Sequence, residues 1–159
     1  MIANILVSVG IVRMFFIARF RACAVAMCLI LTPALADTGH ADLVVNVSGF
    51  AHERGQAIAS LFREGYDVFG TPYARVSAPI HQGKAILVFS NIKSGNYALI
   101  AFHDENGNNH LDHNFLHFPA EPLGFSNGFK LSMFSGKPNF EKLRFAFTVD
   151  SKPLEISVK

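Results

Sequence analysis

From residue 42 onward the chain repeatedly alternates apolar and polar positions with a period of two, and no stretch of helical length carries the 3.6-residue spacing of an amphipathic helix. In residues 42–50, DLVVNVSGF, the side chains of Leu43, Val45 and Val47 fall on one face. In residues 55–63, GQAIASLFR, Ala57, Ala59 and Leu61 share one face while Ile58 and Phe62 take the other. Further runs at 73–80, 83–92, 96–104, 143–150 and 152–159 bring the expected strands to seven. Turn-forming stretches such as SG, REG, HQG, KSG and DSKP separate them, which predicts an all-β antiparallel sandwich or barrel rather than parallel βαβ units. Residues 64–72 interrupt the rhythm as a loop or short helical turn. A longer interruption covers residues 104–142, and an insertion of that length in a compact fold tends to carry function.

The first 36 residues follow a different pattern. Arg13, Arg19 and Arg21 precede the apolar run ACAVAMCLILTPALA, which closes on Ala34-Leu35-Ala36 before Asp37. This is the layout of a secretory signal peptide cleaved after Ala36, with Met14 as an alternative start. The apolar run is shorter than the roughly 20 residues that span a bilayer. The expected product is a single β-sandwich domain at residues 37–159, exported to the periplasm or the extracellular space. Both cysteines, Cys23 and Cys28, lie in the signal, so a disulfide cannot hold the remainder together, and its many phenylalanines must supply the core. The formal charge of +2 also belongs to the precursor. Without the three signal arginines, 11 basic residues face 12 acidic ones, a net charge of −1 that argues against nucleic acid as a partner.

The chemistry-bearing part of the sequence is AFHDENGNNHLDHNFLHFP, residues 101–119, with three carboxylates, four Asn and four His. Asp104, Asn106, Asn108 and Asp112 stand at relative positions 1, 3, 5 and 9 of a calcium loop, with the carbonyl of His110 at 7 and Leu111 as an apolar anchor. Alternate residues of a tightly curled loop aim at a common centre, and a hard cation needs six to eight oxygens there. Asn109 stands at the usual glycine position, which Asn tolerates because it visits the left-handed conformation. Phe115 stands where a bidentate Glu is usual, so the missing charge has to come from Glu121 or a distant residue, or the site is a weak one. The competing reading is a polar loop whose Asp and Asn side chains bond their own backbone.

Two other chemistries deserve comparison with this one. His103, His110, His113 and His117 would bind zinc or copper if the segment were helical, but it lacks helix-start residues and ends at Pro119. GFSNG, residues 124–128, is not a G-x-S-x-G elbow, and the expected role of Phe125, Ser126 and Asn127 is to anchor a loop and cap backbone groups. A hydrolase would have to use His103 with Asp104 or Glu121 in a concave pocket.

The stretch GNYALIAFHDENGNNHLDHNFLHFPAEPLGFSNG, followed by GKPNFEKLRFAF, resembles a family of exported bacterial proteins catalogued as a domain of unknown function. Its pattern runs G-x-Y-A, H-D-E-N-G-N-G-x-L-D, P-x-E-x-x-G-F-S-N and G-x-P-x-F-E. It falls here on Gly95, Tyr97, His103, Asp104, Glu105, Asn106, Gly107, Asn108, Leu111 and Asp112, then on Pro119, Glu121, Gly124, Phe125, Ser126, Asn127, Pro138 and Phe140. Asn109 replaces a glycine of the pattern, and His117-Phe118 replaces glycine and an aliphatic residue. The resemblance implies a seven-stranded sandwich of immunoglobulin-like or transthyretin-like type, without an assigned activity. The expected function is non-enzymatic: binding of calcium in the 104–112 loop. The alternative is a groove formed by residues 104–142 that takes a peptide, glycan or lipid, which exposed aromatics among Phe115, Phe118, Phe125, Phe129, Phe134 and Phe140 would favour.

Overall fold

The computed structural model describes residues 39–116, 118–132 and 134–159. The expected signal peptide, the alternative start at Met14 and the side chain of His117 lie outside the described residues. Among the described residues eight strands form: β1 (His40–Ser48), β2 (Gln56–Arg63), β3 (Ala74–Ala78), β4 (Lys84–Lys93), β5 (Gly95–Asp104), β6 (Leu123–Phe125), β7 (Phe145–Phe147) and β8 (Leu154–Ser157). Helical geometry among the described residues is limited to a 3-10 turn at Ser126–Gly128 and a single helical turn, α1 (Phe140–Leu143). The all-β expectation therefore holds, and each of the seven expected runs contains a strand.

The strands make two sheets, one ordered β4-β1-β8 and the other β3-β2-β5-β6, with β7 also pairing with β5. β1 runs antiparallel to β4 but parallel to β8. The expectation of seven strands, all antiparallel, is corrected on both counts. Its origin is physical: alternation fixes which face of a strand is buried but carries no information on the direction of its neighbour. β6 has only three residues, too few to show a period.

Leu43, Val45 and Val47 from β1 and Ala85, Leu87 and Phe89 from β4 meet Ala57, Ala59, Leu61, Leu99 and Ala101 from β2 and β5 in one core between the sheets. β4 buries every second residue up to Phe89 and then buries Ile92. The register shifts opposite this point, between Ala41 and Leu43, and Asn91 takes a positive φ of 58° with its N–H donating to Asp42 Oδ1. A bulge at a residue that tolerates the left-handed region thus returns the strand to phase.

β2 departs from one-sided burial, since every residue from Ala57 to Phe62 is buried. The cause is a second cluster on the outer face of the larger sheet, where Phe62 and Ala98 pack with Val68, Phe125 and Leu143, bordered by Ile100, Leu123, Phe129 and Phe140. Part of the long interruption is therefore a cover laid across the sheet. Ser126 latches it in place: its buried Oγ accepts from the Leu99 N–H at 2.9 Å and donates to the Leu143 carbonyl. Asn127 Nδ2 donates to the Lys142 carbonyl, so both residues cap backbone groups as the sequence suggested. The Ser126→Ala variant leaves a buried N–H and a buried carbonyl without this partner, and chemical denaturation is expected to show a loss of about 2–3 kcal/mol in stability.

Candidate functional site

The antiparallel pairing of β2 with β5 ends at Gln56 opposite Asp104, and the chain leaves β5 there as the 104–112 loop. Gly55 lies so close that a Cβ on it would sit 2.0 Å from the Asp104 carbonyl oxygen, and its φ is +79°. Only a residue without a side chain lets the loop start here. Asp104 is fully buried. Its Oδ1 accepts from the N–H of Gly107 at 2.9 Å and of Asn108 at 3.1 Å, and its Oδ2 from the Asn109 N–H at 3.0 Å and Gln56 Nε2 at 2.8 Å. Burial by itself pushes the Asp104 pKa up, but the bond from Gln56 and those from the Asn109, Asn108 and Gly107 amides together outweigh it and hold the carboxyl below its ordinary value.

Asp112 closes the loop from the other end. Asn106 Nδ2 reaches its Oδ2 at 2.7 Å, and Asn108 Nδ2 lies 3.1 Å from both of its oxygens. Asn106 Oδ1 accepts from the Asn108 N–H and Asn108 Oδ1 from the His110 N–H, the Asx turns expected of such residues. Asn109 has φ of 64°, the left-handed conformation its glycine-like position requires. Leu111 is half-buried. The structure thus joins Asp104, Asn106, Asn108 and Asp112 into one hydrogen-bonded ring, which His110 enters through its backbone N–H.

Glu121 gathers both ends of this ring. It is 8% exposed, and its two oxygens accept from the N–H groups of Glu105 at 3.0 Å and Asp112 at 3.1 Å. A cleft of about 640 Å³ opens beside it, lined by Glu105, Asn106, Asp112 and Glu121 with Arg54 on its rim. Asp112 and Glu121 bring two acidic residues to this cleft, while the Glu105 carboxylate turns toward His52, His103 and Arg54.

The histidines divide. His110 and His113 are exposed, and the chain around them runs through turns and an isolated bridge from His113 to Pro119 instead of a helix, so the spacing of three and four residues has no helical face to act on. His103 is completely buried near the end of β5, where it meets His52 in a tilted ring contact with centroids 4.7 Å apart. Sequence reasoning missed His52, Gln56 and Glu105 as partners. His52 sits in the β1–β2 connection, and only the β2–β5 register, which places Gln56 beside Asp104, brings that connection against residues 103–105. Ser126, the one residue that superficially suggested a nucleophile, has its hydroxyl taken up by backbone groups.

A family model described as "uncharacterized protein conserved in bacteria (DUF2141)" matches residues 45–156. Comparison with curated proteins and with solved structures gave no match.

The lowered Asp104 pKa sets the sign of a pH effect. The stabilisation from its charged form is complete above the ordinary carboxylate value of 3.8 and is lost as the pH falls through the lower folded-state value. In the presence of EDTA, thermal melting points are expected to fall on acidification below about pH 4. Asp104→Asn should flatten that acid limb while lowering stability at neutral pH by about 2–4 kcal/mol, because the amide nitrogen meets two donors.

Proposed function

We propose, for a chain that belongs to this family of uncharacterized bacterial proteins, that it is an exported, non-enzymatic sandwich of immunoglobulin-like or transthyretin-like type whose 104–112 loop takes calcium. The observation that carries the reading is the hydrogen-bonded ring of Asp104, Asn106, Asn108 and Asp112, both ends of which the Glu121 carboxylate holds through the amides of Glu105 and Asp112. Glu121 stands in contact with the loop although it lies nine positions beyond Asp112, and so would supply a carboxylate where the local pattern has only Phe115. Asn106 and Asn108 contribute amide oxygens, His110 a carbonyl, and the donor set is all oxygen, which suits a hard cation. Binding would exchange the bonds from Asn106 and Asn108 to Asp112 for bonds to the cation. The ion would then act as a staple on the rim between β5 and the cover.

A second reading rests on a separate observation. Phe115 is 89% exposed, Phe134 99% and Phe118 62%, with Leu116 and Leu131 also exposed. Phe118 borders a cleft of about 630 Å³ floored by Leu123, Phe125, Phe129 and Ile156. Phe125 is buried and Phe129 and Phe140 are half-buried, so the aromatic residues of the 104–142 segment are shared between the cover and the surface. Exposed large apolar groups of this kind favour an apolar ligand such as a lipid chain or an apolar peptide.

Calorimetric titration of chelator-treated protein with calcium is expected to give saturable heat. At a hundredfold excess over the dissociation constant the gain is about 2.7 kcal/mol, visible as a melting point raised by several degrees. Asp112→Asn should remove both signals, and an unshifted melting point at millimolar calcium would end the calcium reading. Titration with a fluorescent fatty acid addresses the cleft: Phe118→Ser is expected to weaken its binding severalfold, and equal binding by that variant would count against the second reading.

A further inference from the structure

His103 presents an imidazole that the fold leaves half-used. Its Nε2 lies 2.8 Å from the Arg54 carbonyl oxygen and therefore carries the ring proton. In the neutral imidazole Nδ1 is then an unprotonated lone pair. It is buried and has no hydrogen-bond partner, and the same holds for Nδ1 of the neighbouring His52. A buried acceptor left without a partner costs about 1–3 kcal/mol, and the one on His103 calls for an explanation. Phe50 closes the far side of the His103 ring in an edge-on contact at 5.2 Å between centroids.

One carboxylate oxygen faces both rings. Glu105 Oε1 is 3.6 Å from His52 Nε2 and 3.8 Å from His103 Nδ1, too far for hydrogen bonds. Candidate ligand atoms of His52, His103 and Glu105 all lie within 4.8 Å of one another. Around a tetrahedral zinc ion, with metal–nitrogen and metal–oxygen distances near 2.1 Å, ligand atoms stand roughly 3.4 Å apart. The two separations to Glu105 exceed that by only a few tenths of an ångström. The donation of His103 Nε2–H to a backbone carbonyl is the outer bond that fixes the tautomer of a metal-binding histidine. Arg54 contacts the other oxygen, Oε2, at 3.5 Å and is mostly exposed, so it leaves Oε1 free to turn inward.

We propose that His52, His103 and Glu105 form a transition-metal site of the zinc class, separate from the oxygen loop. Two imidazoles and one carboxylate make three ligands, leaving a fourth position for water. Imidazole nitrogen selects borderline cations, whereas the oxygen set of the 104–112 loop selects hard ones. The two neighbouring sites would therefore sort cations by ligand chemistry.

The test is calorimetric titration of chelator-treated protein with zinc in the presence of saturating calcium, with visible absorption of the cobalt-substituted protein as a report of four-coordinate ligation. One equivalent of zinc is expected. His52→Gln, in a partly exposed loop position, and Glu105→Gln should each weaken zinc binding at least tenfold while calcium binding is unchanged. Asp112→Asn should do the reverse, which separates failure of this site from failure of the calcium loop. Absence of zinc uptake by folded protein overturns the proposal, as does uptake unchanged in His52→Gln and Glu105→Gln, which would place the metal on other histidines. If those variants do not fold, nitrogen-15 shifts of the histidine rings in the unmodified protein decide the matter: zinc must move the His103 Nδ1 resonance, and a stationary resonance refutes the site.

Discussion

A carboxylate with no exposed surface has to be met by donors, and Asp104 is met by four. Three belong to successive amides of the loop that it starts, and the fourth comes from Gln56 on the paired strand. The charge therefore does two jobs at once: it curls the loop back on itself and ties that curl to the end of β2. Everything chemically distinctive near this rim depends on the tie. Gly55 makes room for it, Asn109 accepts a left-handed backbone to complete it, and Gln56 also reaches Asn109 Oδ1 at 2.9 Å to brace it.

Glu121 repeats the device from outside. With its two oxygens on the amides of Glu105 and Asp112, it fixes where the loop enters and leaves. Glu105 is held by its backbone in this way while its side chain turns to His52, His103 and Arg54. One residue thus belongs to the oxygen-rich loop through its main chain and to a nitrogen-rich cluster through its carboxylate. The proximity of two donor sets of different softness follows from a single turn of chain at the end of β5.

Much of this was legible before the structure. Period-two alternation located β1, β2, β4 and β5 to within a residue or two, because burial of one face writes itself into the sequence. β6 was not legible: three residues show no period, and Gly124 makes sense only once Ile156 and Ser157 are seen where a Cβ would go, at 2.6 and 2.8 Å. The loop's internal residues were readable from their spacing, since Asp104 and Asp112 act over a few residues of chain. Glu121 was readable as a source of charge for the loop, though not as a clamp on the amides of Glu105 and Asp112. Gln56 and His52 were not, because strand register joins residues that sequence separates by dozens of positions, and nothing local encodes it. The histidine pattern misled for the same reason in reverse. Regular spacing means convergence only in a helix, and no helix forms around His110 and His113.

The last strand carries an obligation of its own. β8 lies in the smaller sheet beside β1, yet Lys159 exchanges backbone bonds with Leu123 of the larger one, at 3.1 and 3.2 Å, and Ile156 and Val158 sit in the shared core. The seam between the sheets is sewn by residues that leave the ribosome after all the others described here. Until they arrive, β1 keeps an open edge and the core lacks a wall, so early local structure has little to rest on and sequence-distant contacts must form together, a demand that slows folding. Such a chain completes its core only when its last strand is in place.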